Sequence, residues 1–207
     1  MALVESGIGV HAVRDQRRER AREGLRSALL LVAGGRSFAE LKIEEIATAA
    51  GLSRSAFYFY YSSKYELLRD ATGRVAEELF ADASPWYEGE GESVEMIQRV
   101  LAANAASWSK HAQLLRMTVE AAGCDPEIEG FWRGLVAGFT DGVARRVRAD
   151  QEAGLTSPDV DPEKAAEVLV YATETYFHRR IACDGVAPPV AVEALAPVWI
   201  AALYPDA

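Results

Sequence analysis

Between Ile43 and Leu68 two helix signals are pressed together by a single glycine. Ile43, Ile46, Ala47 and Ala50 recur at helical spacing and form one apolar stripe. Gly51 follows at once and predicts a left-handed helix end, a conformation that carries no Cβ strain in glycine. Ser53 then offers an oxygen to a backbone N–H two or three residues on, so a new helix starts immediately. Helices joined this tightly cross steeply, and Ala47 and Ala50 let them approach closely. Downstream, Ser63-Lys64-Tyr65-Glu66 is a capping box that predicts a long helix. The short helix is thereby confined to about Arg54–Tyr60.

The surface of that short helix carries the chemistry. Arg54 is its one long cation and could read a guanine edge in bidentate fashion. Ser55 could touch a base or a phosphate. The hydroxyls of Tyr58 and Tyr60 suit phosphates, contacts that orient a helix without reading sequence. Ser53, Arg54, Ser55, Ala56, Tyr58 and Tyr60 are the candidate DNA-contacting set on this helix, and Lys64 is a candidate phosphate clamp at the start of the next. Phe57, facing Leu67 and Leu68, reads as core. Burying all of FYFYY would ask a partner for each phenol, which a plain core rarely provides.

Charge is divided to match. Residues 1–70 hold 11 Lys and Arg against 9 Asp and Glu, whereas residues 71–207 hold 11 against 22. A basic head on an acidic body fits contact with DNA at one end only. Arg14, Arg17 and Arg18 are placed to reach phosphate, and the later arginines of this helix to pair with Glu19 and Glu23. Residues 1–13 read as a flexible arm, 14–62 as a helix-turn-helix domain and 63–207 as a second, helical domain.

Strand signals are nearly absent, and the pattern predicts an all-α chain of about nine helices: 15–33, 43–50, 54–60, 64–82, 93–110, 112–122, 126–152, 162–183 and 190–204. Asp125-Pro126 and Asp161-Pro162 each place a capping acid before a proline at the first helical position. Residues 84–93 and 154–161 read as loops, and Pro197 predicts a kink or break in the last helix. Val94, Ile97, Leu101, Asn104 and Trp108 form one inward stripe; Trp132, Val136, Phe139 and Val143 form another. Tyr171, Thr173, Glu174, Thr175, Tyr176 and His178 interrupt the apolar pattern of 162–183. These stripes suit either an ordinary aromatic core or an apolar cavity with a few polar groups. Gly130, Gly134, Gly138 and Gly142 recur at every fourth position, at about 1 kcal/mol each relative to Ala. Close approach of a neighbouring helix explains them best, with a soft, shifting helix as the alternative.

An enzyme finds no support. His11, His111 and His178 lack metal-ligand spacing, the Gly51-x-Ser53-x-Ser55 run lacks the last glycine of a nucleophile elbow, and no glycine loop follows a strand. No cofactor or metal is expected. Cys124 and Cys183 read as inert core thiols, and the absence of any apolar run of ~18 residues predicts a cytoplasmic chain without a membrane span.

The run IEEIATAAGLSRSAFYFYYSSKYELL resembles the DNA-binding signature of TetR/AcrR-type transcriptional regulators, and with the late block PVWIAALYPD it is most similar to the EthR-type repressors among them. The resemblance implies an all-helical homodimer with three DNA-binding helices and about six in a ligand-binding, dimerising body. It implies a long apolar ligand channel lined by Met96, Ile97, Asn104, Trp108, Trp132, Phe139, Thr173 and Trp199. Val170 and Thr173 stand where asparagines are known in that group, which moves the polar anchor to Asn104 or Tyr171, with Tyr176 beside it. Lys42 replaces the usual Thr or Ser cap of the second helix and becomes a phosphate candidate. The expected partners are near-palindromic operator DNA, a lipophilic effector that releases it, and a second protomer paired through 162–183 and 190–204. An activator of the same fold and a scaffold that binds only protein are the rival readings.

Overall fold

The computed structural model describes residues 2–89 and 93–204, with side chains outside 2–13 and 93. Among the described residues the protein is all-α: α1 (Ala2–Ala33), α2 (Ile43–Ala49), α3 (Arg54–Tyr60), α4 (Lys64–Tyr87), α5 (Ser93–Lys110), α6 (Ala112–Ala122), α7 (Pro126–Glu152), α8 (Pro162–Phe177) and α9 (Pro188–Leu203). A 3-10 turn at Phe38–Glu40 precedes α2, and a π-helical turn at His178–Cys183 follows α8. The chain forms two compact units, Met1–Ala71 and Thr72–Ala207, so the division falls inside α4 and not before it. The segment expected as a loose arm continues the backbone of α1 from Ala2, and Met1 lies outside the described residues.

In the first unit α1, α2 and α3 pack on one another around Leu25, Leu29, Phe38, Ile46 and Phe57. Gly51 has φ of +70°, the Leu52 N–H donates to the Ala47 carbonyl at 2.8 Å and the Gly51 N–H to Thr48 at 3.0 Å. This double closure satisfies carbonyls that the end of α2 would otherwise leave open.

In the second unit α5 lies on α9, and α7 lies between α6 and α8. The side chains of Asp125 and Asp161 cap α7 and α8 as their Asp-Pro pairs predict, Asp125 Oδ1 accepting from the Glu127 and Ile128 N–H groups at 3.0 Å. α4 runs five residues further than expected, through Pro85, because Trp86 is sealed in the core and Tyr87 packs on α7. Residues 90–92 of the expected loop lie outside the described residues. Pro197 sits within α9 without ending it. The buried Arg146 donates to Asp150 at 2.9 Å and to the Trp86 carbonyl at 2.9 Å, while the Tyr204 hydroxyl donates to the same Asp150 carboxylate. This pairing lets a charge sit where a lone one would be prohibitive.

Half of the glycine stripe on α7 has a packing cause. A Cβ on Gly138 would meet the Phe80 ring at 2.9 Å, and one on Gly142 would meet the Tyr87 ring at 2.8 Å. Around Gly130 and Gly134 there is open space. Both cysteines are exposed, contrary to the core reading: Cys124 lies in the turn before α7, and Cys183 ends the π-helical turn. Gly142→Ala should destabilise the protein by about 1–3 kcal/mol through overpacking. Gly134→Ala should stabilise it by roughly 0.5–1 kcal/mol through helix propensity. Urea unfolding of the two variants checks the opposite signs.

Candidate functional site

α3 is short, capped at its start and anchored at one point. Ser53 Oγ accepts from the Ala56 N–H at 3.1 Å and lies 2.9 Å from Ser55 Oγ. Phe57 is fully buried, and the N–H of Tyr61 closes the helix on its carbonyl. With Phe57 fixed inward, Ser53, Arg54, Ser55, Tyr58 and Phe59 are exposed, and Ala56 and Tyr60 are half-buried. Arg54 reaches Glu44 at 3.6 Å and lies 5.9 Å from the Tyr58 ring centre. Both partners of the ion pair are exposed, so it is weak and yields readily to phosphate or a base edge. Arg14, Arg17, Arg18 and Lys42 are also exposed. Lys42 begins α2 without a side-chain acceptor; Glu45 supplies the return half of the cap, accepting from the Lys42 N–H at 3.0 Å. That bond, with Arg36, holds the Glu45 carboxyl below its ordinary range.

Behind α3 a polar lock joins the two longer helices of the unit. The buried Tyr61 hydroxyl donates to Asp70 at 2.6 Å, and Arg26 donates to the same carboxylate oxygen at 2.6 Å. Arg26 also pairs with Glu19 and Glu23, and Arg22 lies 5.0 Å from the centre of the Tyr61 ring. Burial works against the Asp70 charge, but the bonds from Tyr61 and Arg26 outweigh it and hold the carboxyl low.

The second unit holds a cavity with about 90 Å³ of room for the centres of water-sized spheres. One water needs only ~10–15 Å³ on that measure. Ile97, Asn104 and Trp108 of α5 line it with Trp132 and Phe139 of α7, Thr173 of α8 and Trp199 of α9. α4 contributes Thr72, Ala76, Leu79, Ala83, Trp86 and Tyr87. Trp199 Nε1 donates to Thr173 Oγ1 at 2.9 Å, and the Thr173 hydroxyl donates to the Leu169 carbonyl, so this polar pair is spent internally. Glu174 also lines the cavity; burial pushes its carboxyl above the ordinary range, against the hydrogen bond from Thr175 and the nearby Trp132 indole.

Residues 27–71 match the bacterial regulatory proteins of the tetR family, and residues 97–205 match the C-terminal domain of the transcriptional regulator EthR. The chain belongs to the TetR family of transcriptional regulators. It is 27% identical to the regulator EthR of Mycolicibacterium smegmatis over 82% of this chain and 79% of that one. EthR of Mycobacterium tuberculosis is 20% identical over 82% and 80%. The fold matches SmeT, the repressor of the Stenotrophomonas maltophilia multidrug efflux pump SmeDEF, with a TM-score of 0.74 at 18% identity over 89% of this chain and 91% of that one. A SmeT complex with triclosan gives a TM-score of 0.77 at 18% identity over 90% and 92%. The chain is thus a DNA-binding regulator with a ligand-binding C-terminal domain.

Four expected contacts fall elsewhere. Lys64 is not free to clamp phosphate: its ammonium donates to the carbonyls of Phe38, Ala39 and Leu41 at 2.9, 2.9 and 3.0 Å, closing the 3-10 turn. Met96 is buried but does not line the cavity. Tyr171 and Tyr176 border a separate surface hollow with Arg179 and Arg180, because on α8 the inward positions are 170, 173, 174 and 177. Two contributions went unread. Phe59 is 72% exposed on α3, and its position two residues from the buried Phe57 was the available signal. Of the α4 wall, Trp86 and Tyr87 fall in the stretch 84–93 that reads as a loop, while Thr72, Ala76 and Leu79 lie within the expected helix 64–82, whose inward face carries small and aliphatic side chains and no aromatic stripe.

Asp70→Asn should lower stability by about 2–3 kcal/mol at neutral pH, since it leaves Arg26 and Tyr61 poorly matched. A depressed carboxyl contributes stability above its unfolded pKa and loses it as pH falls through the folded one. Thermal melts from about pH 6 down to about pH 3 should therefore show a shallower acid loss in the variant than in the parent.

Proposed function

We propose that this protein is a cytoplasmic homodimeric repressor that leaves a near-palindromic operator when a lipophilic molecule fills the cavity. The observation that carries the reading is α3 itself: an anchored helix with Arg54, Ser55, Tyr58 and Phe59 presented outward from a buried Phe57. Helix-turn-helix dimers place two such helices in successive major grooves, roughly 34 Å apart. Arg54 reads a base edge, Ser53, Ser55, Ala56, Tyr58 and Tyr60 make the close contacts, and Lys42, Arg14, Arg17 and Arg18 grip phosphate.

Pairing through α8 and α9 is supported by Val168, Tyr171, Val190 and Val198, apolar or amphipathic side chains exposed on those two helices. The four could close into a bundle with their copies. The cavity, walled by α4 on one side and by α5, α7 and α8 on others, suits an apolar effector, which acts only through its differential affinity for the DNA-fitting and non-fitting states. That coupling is typically ~1–3 kcal/mol. The names of the EthR and SmeT relatives, as regulator and repressor, support repression.

Arg54→Ala should cost about 1–3 kcal/mol of operator affinity and relax preference at one base pair. Tyr58→Phe should cost about 1 kcal/mol at every sequence alike. Fluorescence anisotropy at several salt concentrations checks both; unchanged binding in the two variants would remove α3 from the interface. Val168→Glu with Val198→Glu should give monomers in sedimentation while leaving the helical spectrum intact.

A further inference from the structure

We propose that the cavity carries a cation subsite formed by Glu174, Trp132, Trp108 and Asn104, and that its effector is a lipophilic amine whose ammonium occupies it. This inference rests on the reading of the cavity as the effector site. The four residues are linked in series. Asn104 and Trp108 lie one turn apart on α5 and both line the cavity. The Trp108 ring meets the Trp132 ring of α7 edge to face, with centroids 6.2 Å apart and planes at 87°. Trp132 and Glu174 of α8 both line the cavity, and the indole favours the charged form of that carboxyl.

Each group in this series favours positive charge or a hydrogen-bond donor. Glu174 is the one carboxylate of the lining, and no Lys, Arg or His lines the cavity with it among the described residues. Indole faces attract an ammonium through the ring quadrupole, most strongly where water is excluded. Asn104 Oδ1 is buried without a hydrogen-bond partner, and a buried acceptor left open is costly until an N–H reaches it. The remaining wall, from Ala76, Leu79, Val136 and Val143, takes the alkyl or aryl body. Thr173, the other polar residue of α8 in the lining, is already satisfied by Trp199 and Leu169 and offers no rival anchor.

The decisive probes are octylamine, 1-octanol and octanoate, which share a tail and differ in the head group. Titration into the full-length protein by calorimetry, with tryptophan fluorescence as a second readout, should give octylamine an affinity at least about tenfold above that of 1-octanol. That ordering runs against the greater lipophilicity of the alcohol. Octanoate should bind weakest. Glu174→Gln should abolish the amine preference while retaining 1-octanol binding, which also shows that the variant is folded. Octanol or octanoate binding as tightly as the amine, or an amine preference that survives Glu174→Gln, would overturn the cation subsite and leave the cavity reading standing. If none of the three binds, the cavity reading falls and the subsite with it.

Discussion

A seven-residue helix is not stable on its own in water, because nucleation costs more than so few hydrogen bonds return. The presence of α3 therefore depends on what is done to it from outside. The Gly51 turn sets its direction, the Ser53 hydroxyl closes its first turn and the Phe57 side chain fixes its rotation. Rotation matters most. With Phe57 inward the arginine and the hydroxyls face away from the protein, whereas a rotation by one or two positions would bury them. The outward face proposed for DNA recognition thus rests on the fit of one phenylalanine against its own three-helix unit.

Much of this was legible because the signals are local and polar. A capping Asp before Pro states where α7 and α8 begin, and glycine after an apolar stripe states where α2 ends. Longer-range choices were not legible. Lys64 sits beside an apparent phosphate-binding helix, yet three carbonyls of a 3-10 turn more than twenty residues upstream claim its ammonium. The capping box at Ser63 is similar: Ser63 Oγ accepts from the Glu66 N–H, but Glu66 reaches past it to the N–H and hydroxyl of Ser62. Such contests are decided by geometry that spacing along the chain does not encode.

The cavity shows the same division. The aromatic stripes of α5 and α7 could be read from helical periodicity, and Ile97, Asn104, Trp108, Trp132 and Phe139 do meet around one space. Tyr171 failed because a polar interruption in a helix does not say which face it lies on. Val170, Thr173, Glu174 and Phe177 share the inner face of α8 at spacings of three and four, and Tyr171 falls 100° away from Val170. His178 follows the inner face only in part; its ring lies against Trp108, 6.4 Å between centroids.

The rings of Phe80 and Tyr87 seat in two notches that glycine leaves in α7, while Phe139 stacks flat on Phe80 at 3.9 Å. Teeth of this kind resist axial slip, since any slide short of the four-residue spacing of the glycines, about 6 Å, drives an aromatic edge into a neighbouring side chain. An occupant that presses on Tyr87 or Phe139, both of which line the cavity, therefore meets a helix pair whose register is already locked.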